Sequence, residues 1–106
     1  MDELERVKQV LEMHCGEGNE ISAGIIGSML GYSHDDTHAK ARRIIKKCAE
    51  KYGIPLGANT RGYFIMTSTD ELREYEKNLQ SRIQGIEERK KIMEKYFKEW
   101  NKCIIR

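Results

Sequence analysis

A chain of 106 residues, 34% charged and 39% hydrophobic with a mean hydropathy of -0.71, builds one small core and is too short and too polar for a large enzyme around a deep pocket. Its formal net charge of +2 is close to neutral, so any affinity for nucleic acid must come from where the charge sits. No run of about eighteen apolar residues occurs, and the opening MDELERVKQV lacks the basic-then-apolar layout of a signal peptide, so a cytoplasmic protein without a membrane span is expected.

From Asp2 to Cys15, Leu4, Val7, Val10, Leu11 and His14 recur at helical steps behind Asp2, Glu3 and Glu5, which predicts an amphipathic first helix ending at Cys15-Gly16. A Gly16–Glu20 loop follows. In the next stretch Ile25, Ile26, Met29 and Leu30 recur at helical spacing, while Ala23, Gly24, Gly27 and Ser28 leave room for another helix to approach. Gly31 is placed to take the left-handed conformation that closes this helix, and Ser33 or Asp35 to cap the next. The second helix is expected to bury Thr37, Ala41, Ile44, Ile45 and Cys48 and to expose Lys40, Arg42, Arg43, Lys46 and Lys47, with His34 and His38 nearer its start. Two helices joined by about three to four residues, Gly among them, are a helix-turn-helix.

Tyr52-Gly53 closes the basic helix, and Pro55 confines its strand to a start or an edge. Ile54, Leu56 and Ala58 alternate, Asn59-Thr60-Arg61-Gly62 makes the turn, and Tyr63 to Thr67 is rich in strand formers, so a hairpin is predicted with one of Tyr63 and Phe64 inward and the other at the surface. Ser68-Thr69-Asp70-Glu71 is a capping box. From there to about Lys102 only Gly85 opposes a helix, by roughly 1 kcal/mol relative to Ala. Leu72, Leu79, Ile86, Met93 and Trp100 fall at every seventh position, with Ile83, Phe97 and Ile104 four residues after three of them. The positions three after are Tyr75, Arg82, Arg89, Tyr96 and Cys103, so the seam is mixed and not an ideal zipper, yet it needs a partner. A homodimer through these residues is expected; the alternative is a bend at Gly85 and a return onto the chain.

Leu30-Gly31-Tyr32-Ser33 and the basic helix behind it resemble the turn of prokaryotic helix-turn-helix proteins. The segment from Ile54 to Met66 is similar to the β-hairpin wing of the winged-helix subclass, so the likeness covers about the first two thirds of the chain. It implies a winged helix-turn-helix domain over residues 1–67, which, with the long dimerisation helix read from the seam over 68–106, makes a mainly α fold with a small β-hairpin. It also implies sequence-specific binding of double-stranded DNA by a dimeric transcriptional regulator of prokaryotic or phage type. On that reading Asp35, Thr37 or His38 and Arg42 meet base edges, and Lys40, Arg43, Lys46 and Lys47 meet phosphates. The tip residues Asn59, Thr60 and Arg61 form a second contact, Arg61 reaching the minor groove. Against it, Asp35 and Asp36 repel phosphate, and a basic helix can also be merely solvated. Two other roles fit the same fold: a replication or plasmid-partition factor, and a winged-helix module that binds protein.

Catalysis finds no support in the residue pattern. His34 and His38 stand at i and i+4, a metal-binding spacing, but without the Glu of H-E-x-x-H or a nearby third ligand. His14 and Cys15 are adjacent and diverge on a helix, and no G-x-x-x-x-G-K-[ST] loop occurs. Cys15, Cys48 and Cys103, odd in number and without a C-x-x-C pair, fit reduced thiols. No cofactor, metal or small-molecule substrate is therefore expected.

Overall fold

The computed structural model describes residues 2–33 and 38–104, with side chains up to Trp100. Among them are four helices and two strands: α1 (Glu3–Glu12), α2 (Ala23–Met29), α3 (Ala39–Tyr52), β1 (Leu56–Asn59), β2 (Gly62–Ile65) and α4 (Thr69–Ile104). The chain divides into two compact units, Met1–Leu72 and Arg73–Arg106. No helix among the described residues is long and apolar enough to cross a membrane.

Asp2 caps α1, its Oδ1 accepting from the Glu5 amide at 2.8 Å, and the inward stripe buries Val7 and Leu11 completely. The helix ends at Glu12, earlier than its apolar spacing suggests. The backbone after it is used differently: the His14 carbonyl accepts from Ile65 N at 2.9 Å and Gly16 N donates to the Ile65 carbonyl at 2.8 Å. Residues that pair with a strand edge cannot also continue a helix.

Ser22 Oγ caps α2 by accepting from Ile25 N at 3.2 Å. Only part of its apolar spacing faces inward: Ile26 is buried and Leu30 half-buried, but Ile25 is 55% and Met29 50% exposed. A helix of seven residues offers the core one narrow stripe. It ends as expected at Gly31 (φ 78), where Tyr32 N donates to the Gly27 carbonyl and Gly31 N to that of Ser28, the paired bonds of a Schellman ending. The small residues do let α3 approach. A Cβ on Gly27 would lie 3.3 Å from the Ala41 Cβ, and one on Gly24 3.1 Å from the His38 ring.

The start of α3 departs from expectation. His38 takes a left-handed backbone (φ 51, ψ 38), so the helix begins at Ala39 and Ser33 does not cap it. The connection is thus longer than three to four residues; His34, Asp35, Asp36 and Thr37 lie outside the described residues. Beyond it the stripe is as expected, with Ala41, Ile45 and Cys48 buried and Ile44 half-buried. Ile45 and Cys48 join Val7, Leu11, Ile21 and Ile26 in the core. Ile45 is fully buried there, and Ile45→Ala is expected to lower unfolding free energy by about 2–5 kcal/mol, read from urea denaturation.

β1 and β2 pair antiparallel, Leu56 opposite Ile65 and Asn59 opposite Gly62. Ile54, Leu56, Tyr63 and Ile65 pack against the core, while Ala58 is exposed. Neither aromatic is a bare surface residue, contrary to the alternation argument. Tyr63 is half-buried on the core side, and Phe64, 7% exposed, lies on the opposite face over Gly57, where a Cβ would sit 2.6 Å from its ring. The outer edge of β2 is occupied as well, because Ile21 exchanges two backbone bonds with Tyr63 at 2.8 and 2.9 Å.

The capping box forms at α4, where Ser68 Oγ accepts from Glu71 N at 3.1 Å. The Glu71 carboxylate reaches back to Thr67 N (2.8 Å) and across to Glu17 N (2.7 Å), and these N–H groups hold its pKa below the usual carboxylate value. From there α4 runs for 36 residues, about 54 Å at 1.5 Å per residue, and stays helical through Gly85, without the break that a return would need.

Candidate nucleic-acid interface

Helix α3 concentrates the charge of the molecule. It holds six cations, Lys40, Arg42, Arg43, Lys46, Lys47 and Lys51, against the single acid Glu50, which exceeds the +2 of the whole chain. Because Ala41, Ile45 and Cys48 point into the core, Arg42 and Lys46 form one exposed i,i+4 row and Arg43 and Lys47 the next. None of these four is ion-paired to a described carboxylate. Lys40 is exposed but engaged, its ammonium 4.3 Å from the centre of the Tyr32 ring. Tyr32 in turn donates its hydroxyl to Glu3; burial, and secondarily that carboxylate, push the phenol up to about 12.

A cleft of about 390 Å³ lies between the start of α2, the outer face of α3 and the hairpin tip. His38 and Arg42 line one side and Asn59, Thr60 and Arg61 the other. Residues separated by about twenty positions in sequence, singled out as helix and tip contacts, thus share one opening. Arg43, Lys46 and Lys47 stand outside the cleft lining on the exposed surface of α3. Thr37 and Asp35 lie outside the described residues.

Sequence reasoning missed Glu20, which organises the tip. Its side chain is only 4% exposed, and its Oε2 accepts from Gly18 N at 2.9 Å and Asn59 Nδ2 at 2.7 Å. The Arg61 guanidinium lies 3.5 Å away, and Arg61 N donates to Asn59 Oδ1 at 2.8 Å. The Gly18 amide first, then Asn59, bring the carboxyl down to about 2 from its ordinary 4.5; Arg61 adds least. Arg61 therefore does not extend freely from the turn. Its side chain is 66% exposed and leans on Glu20. No local signal marks Glu20, which sits 39 positions before Asn59.

This arrangement sets a pH dependence. A carboxylate with a lowered folded pKa stabilises the fold fully above its unfolded value and loses that contribution as pH falls through the folded one. For Glu20 the window runs from about 4.5 down to about 2. Glu20→Gln is therefore expected to lower the melting temperature at pH 7, with the gap to the unaltered chain closing as pH approaches 2. Thermal scans across that range check it, and a gap that is constant with pH refutes it.

Among the described residues no three His, Cys, Asp or Glu side chains converge as a metal site. Cys15 is exposed, and Cys48 is buried with its thiol pushed up by desolvation. What the cleft and the rows beside it offer is cationic and hydrogen-bonding surface, suited to a polyanion. Compared with protein-family models, curated proteins and solved structures, the chain finds no match.

Proposed function

We propose that this protein is a winged helix-turn-helix protein that binds double-stranded DNA, acting in the cytoplasm as a dimeric transcriptional regulator. The observation that carries the reading is the cleft in which His38, just before α3, and Arg42 of α3 face Asn59, Thr60 and Arg61 of the hairpin tip. On this reading α3 enters the major groove, Arg42 and His38 meet base edges, and Arg43, Lys46 and Lys47 grip phosphates. The hairpin is the wing, and Arg61 exchanges part of its contact with Glu20 for the narrow negative groove beside it. Dimerisation uses Leu72, Leu79, Ile83, Ile86, Met93, Phe97 and Trp100 of α4, all between 38% and 69% exposed. Two copies of α3 then meet a palindrome or direct repeat with half-sites about 34 Å apart or a multiple of it.

Fluorescence anisotropy with random duplex DNA across a salt series tests the reading. Binding that weakens steeply with salt supports it; a flat response, with no retention on heparin, defeats it. A second reading, a protein-binding module, draws on the apolar groove of about 410 Å³ between α1 and α2, where Met13 is 79% exposed. The flat response would favour that module. A replication or plasmid-partition factor needs the same DNA surface, and the location of bound fragments selected from genomic DNA separates it from a regulator.

A further inference from the structure

The seam of α4 has an orientation written into its borders. Leu72, Leu79, Ile86, Met93 and Trp100 are its d residues in heptad terms, and Glu76, Ile83, Lys90 and Phe97 its a residues. On the g border stand Tyr75, Arg82, Arg89 and Tyr96, and on the e border Arg73, Gln80, Glu87 and Glu94. In the middle of the helix one edge is thus Arg and the other Glu. Arg82, Glu87, Arg89 and Glu94 are all exposed, and none is ion-paired to another described residue; within α4 the i,i+4 pair that closes is Lys95–Glu99, at 4.0 Å.

In a parallel in-register pair each g residue faces the e residue of the following heptad on the other helix. In an antiparallel pair g faces g and e faces e. The first arrangement sets Arg82 against the partner's Glu87 and Arg89 against the partner's Glu94, each twice by symmetry. The second sets Arg against Arg and Glu against Glu. We infer that α4 pairs with α4 of a second copy of this chain as a parallel, in-register coiled coil oriented by these contacts. The inference rests on the dimer proposed above and specifies its geometry: the two Thr69 residues lie at the same end of the pair.

Two effects oppose this arrangement. Thr69–Glu88 holds six acids against three bases and Arg89–Trp100 five bases against two acids, an imbalance that by itself favours antiparallel halves. Most of those charges lie on the outer face of the pair, where salt screens them beyond about 8 Å, whereas the border charges sit beside the dry seam. Glu76 and Lys90 each meet their own copy. Their stems can lie along the seam with the charged heads outward, and polar a residues lower stability while fixing register.

The test uses the full chain. Light scattering first establishes the oligomer; a monomer at every concentration removes the proposed dimer and this inference together, without touching DNA binding. Leu79→Cys, in a Cys15→Ser and Cys103→Ser background, is expected to form an interchain disulfide almost completely under mild oxidation. A dimer that fails to cross-link overturns the parallel arrangement alone. Arg82→Glu with Arg89→Glu is expected to raise the dimer dissociation constant roughly tenfold or more, and adding Glu87→Arg with Glu94→Arg to restore it. An unchanged constant in the Arg-to-Glu variant would also overturn it, because reversing both g residues leaves like facing like in an antiparallel pair.

Discussion

Replacing Arg42 and Arg43 together with alanine is expected to weaken binding to duplex DNA about a hundredfold, roughly 3 kcal/mol, while leaving the fold intact. Arg42 lines the cleft opposite the hairpin tip and Arg43 begins the neighbouring exposed row, so the pair samples both proposed kinds of contact. Removing the Arg43 phosphate contact should also reduce the slope of log affinity against log salt by about 1. Both side chains are exposed, and their loss should change urea stability by no more than about 0.5 kcal/mol. Lys46→Ala should weaken all duplexes alike and leave sequence preference unaltered. If the double variant binds duplex as tightly as the unaltered chain at low salt, α3 is not the element that meets DNA.

The second large effect concerns one glycine. Gly62 sits at φ 142, and a Cβ there would lie 2.3 Å from the Ile21 carbonyl oxygen and 2.9 Å from Ser22 N. The bonds between Ile21 and Tyr63 run past this point, so no side chain enters without forcing the edge apart. Gly62→Ala is expected to lower stability by roughly 2–4 kcal/mol through backbone strain and lost edge hydrogen bonds, measured by urea denaturation. Since Glu20 adjoins Ile21 and holds Asn59 and Arg61, the variant should also lose affinity for DNA beyond what its unfolded fraction explains. A variant as stable as the unaltered chain would show that the loop from Gly16 to Ile21 yields freely.

Much of the helical framework was legible because its causes are local. The spacing of Val7 and Leu11, of Ala41, Ile45 and Cys48, and the Ser68 cap needs only the helical period and one turn of backbone. Gly31 was legible for the same reason: a left-handed ending is a property of one residue. The period is blind to how much of a face the core covers, so it did not reveal that Ile25 and Met29 stay exposed. It also gave no sign that a left-handed His38 delays α3 to Ala39.

The cations of α3, the tip residues Asn59, Thr60 and Arg61, and the seam of α4 are set by the order of residues along the chain. That they belong to one cleft, in the case of His38, Arg42 and the tip, was decided by tertiary packing. So were the two carboxylates that tie distant segments together, Glu20 to the tip and Glu71 to Glu17. The physical reason is the same for both. The sequence around a glutamate shows only its local partners until folding brings distant N–H donors within about 3 Å of it, and the donors for Glu20 and Glu71 include groups 39 and 54 residues away.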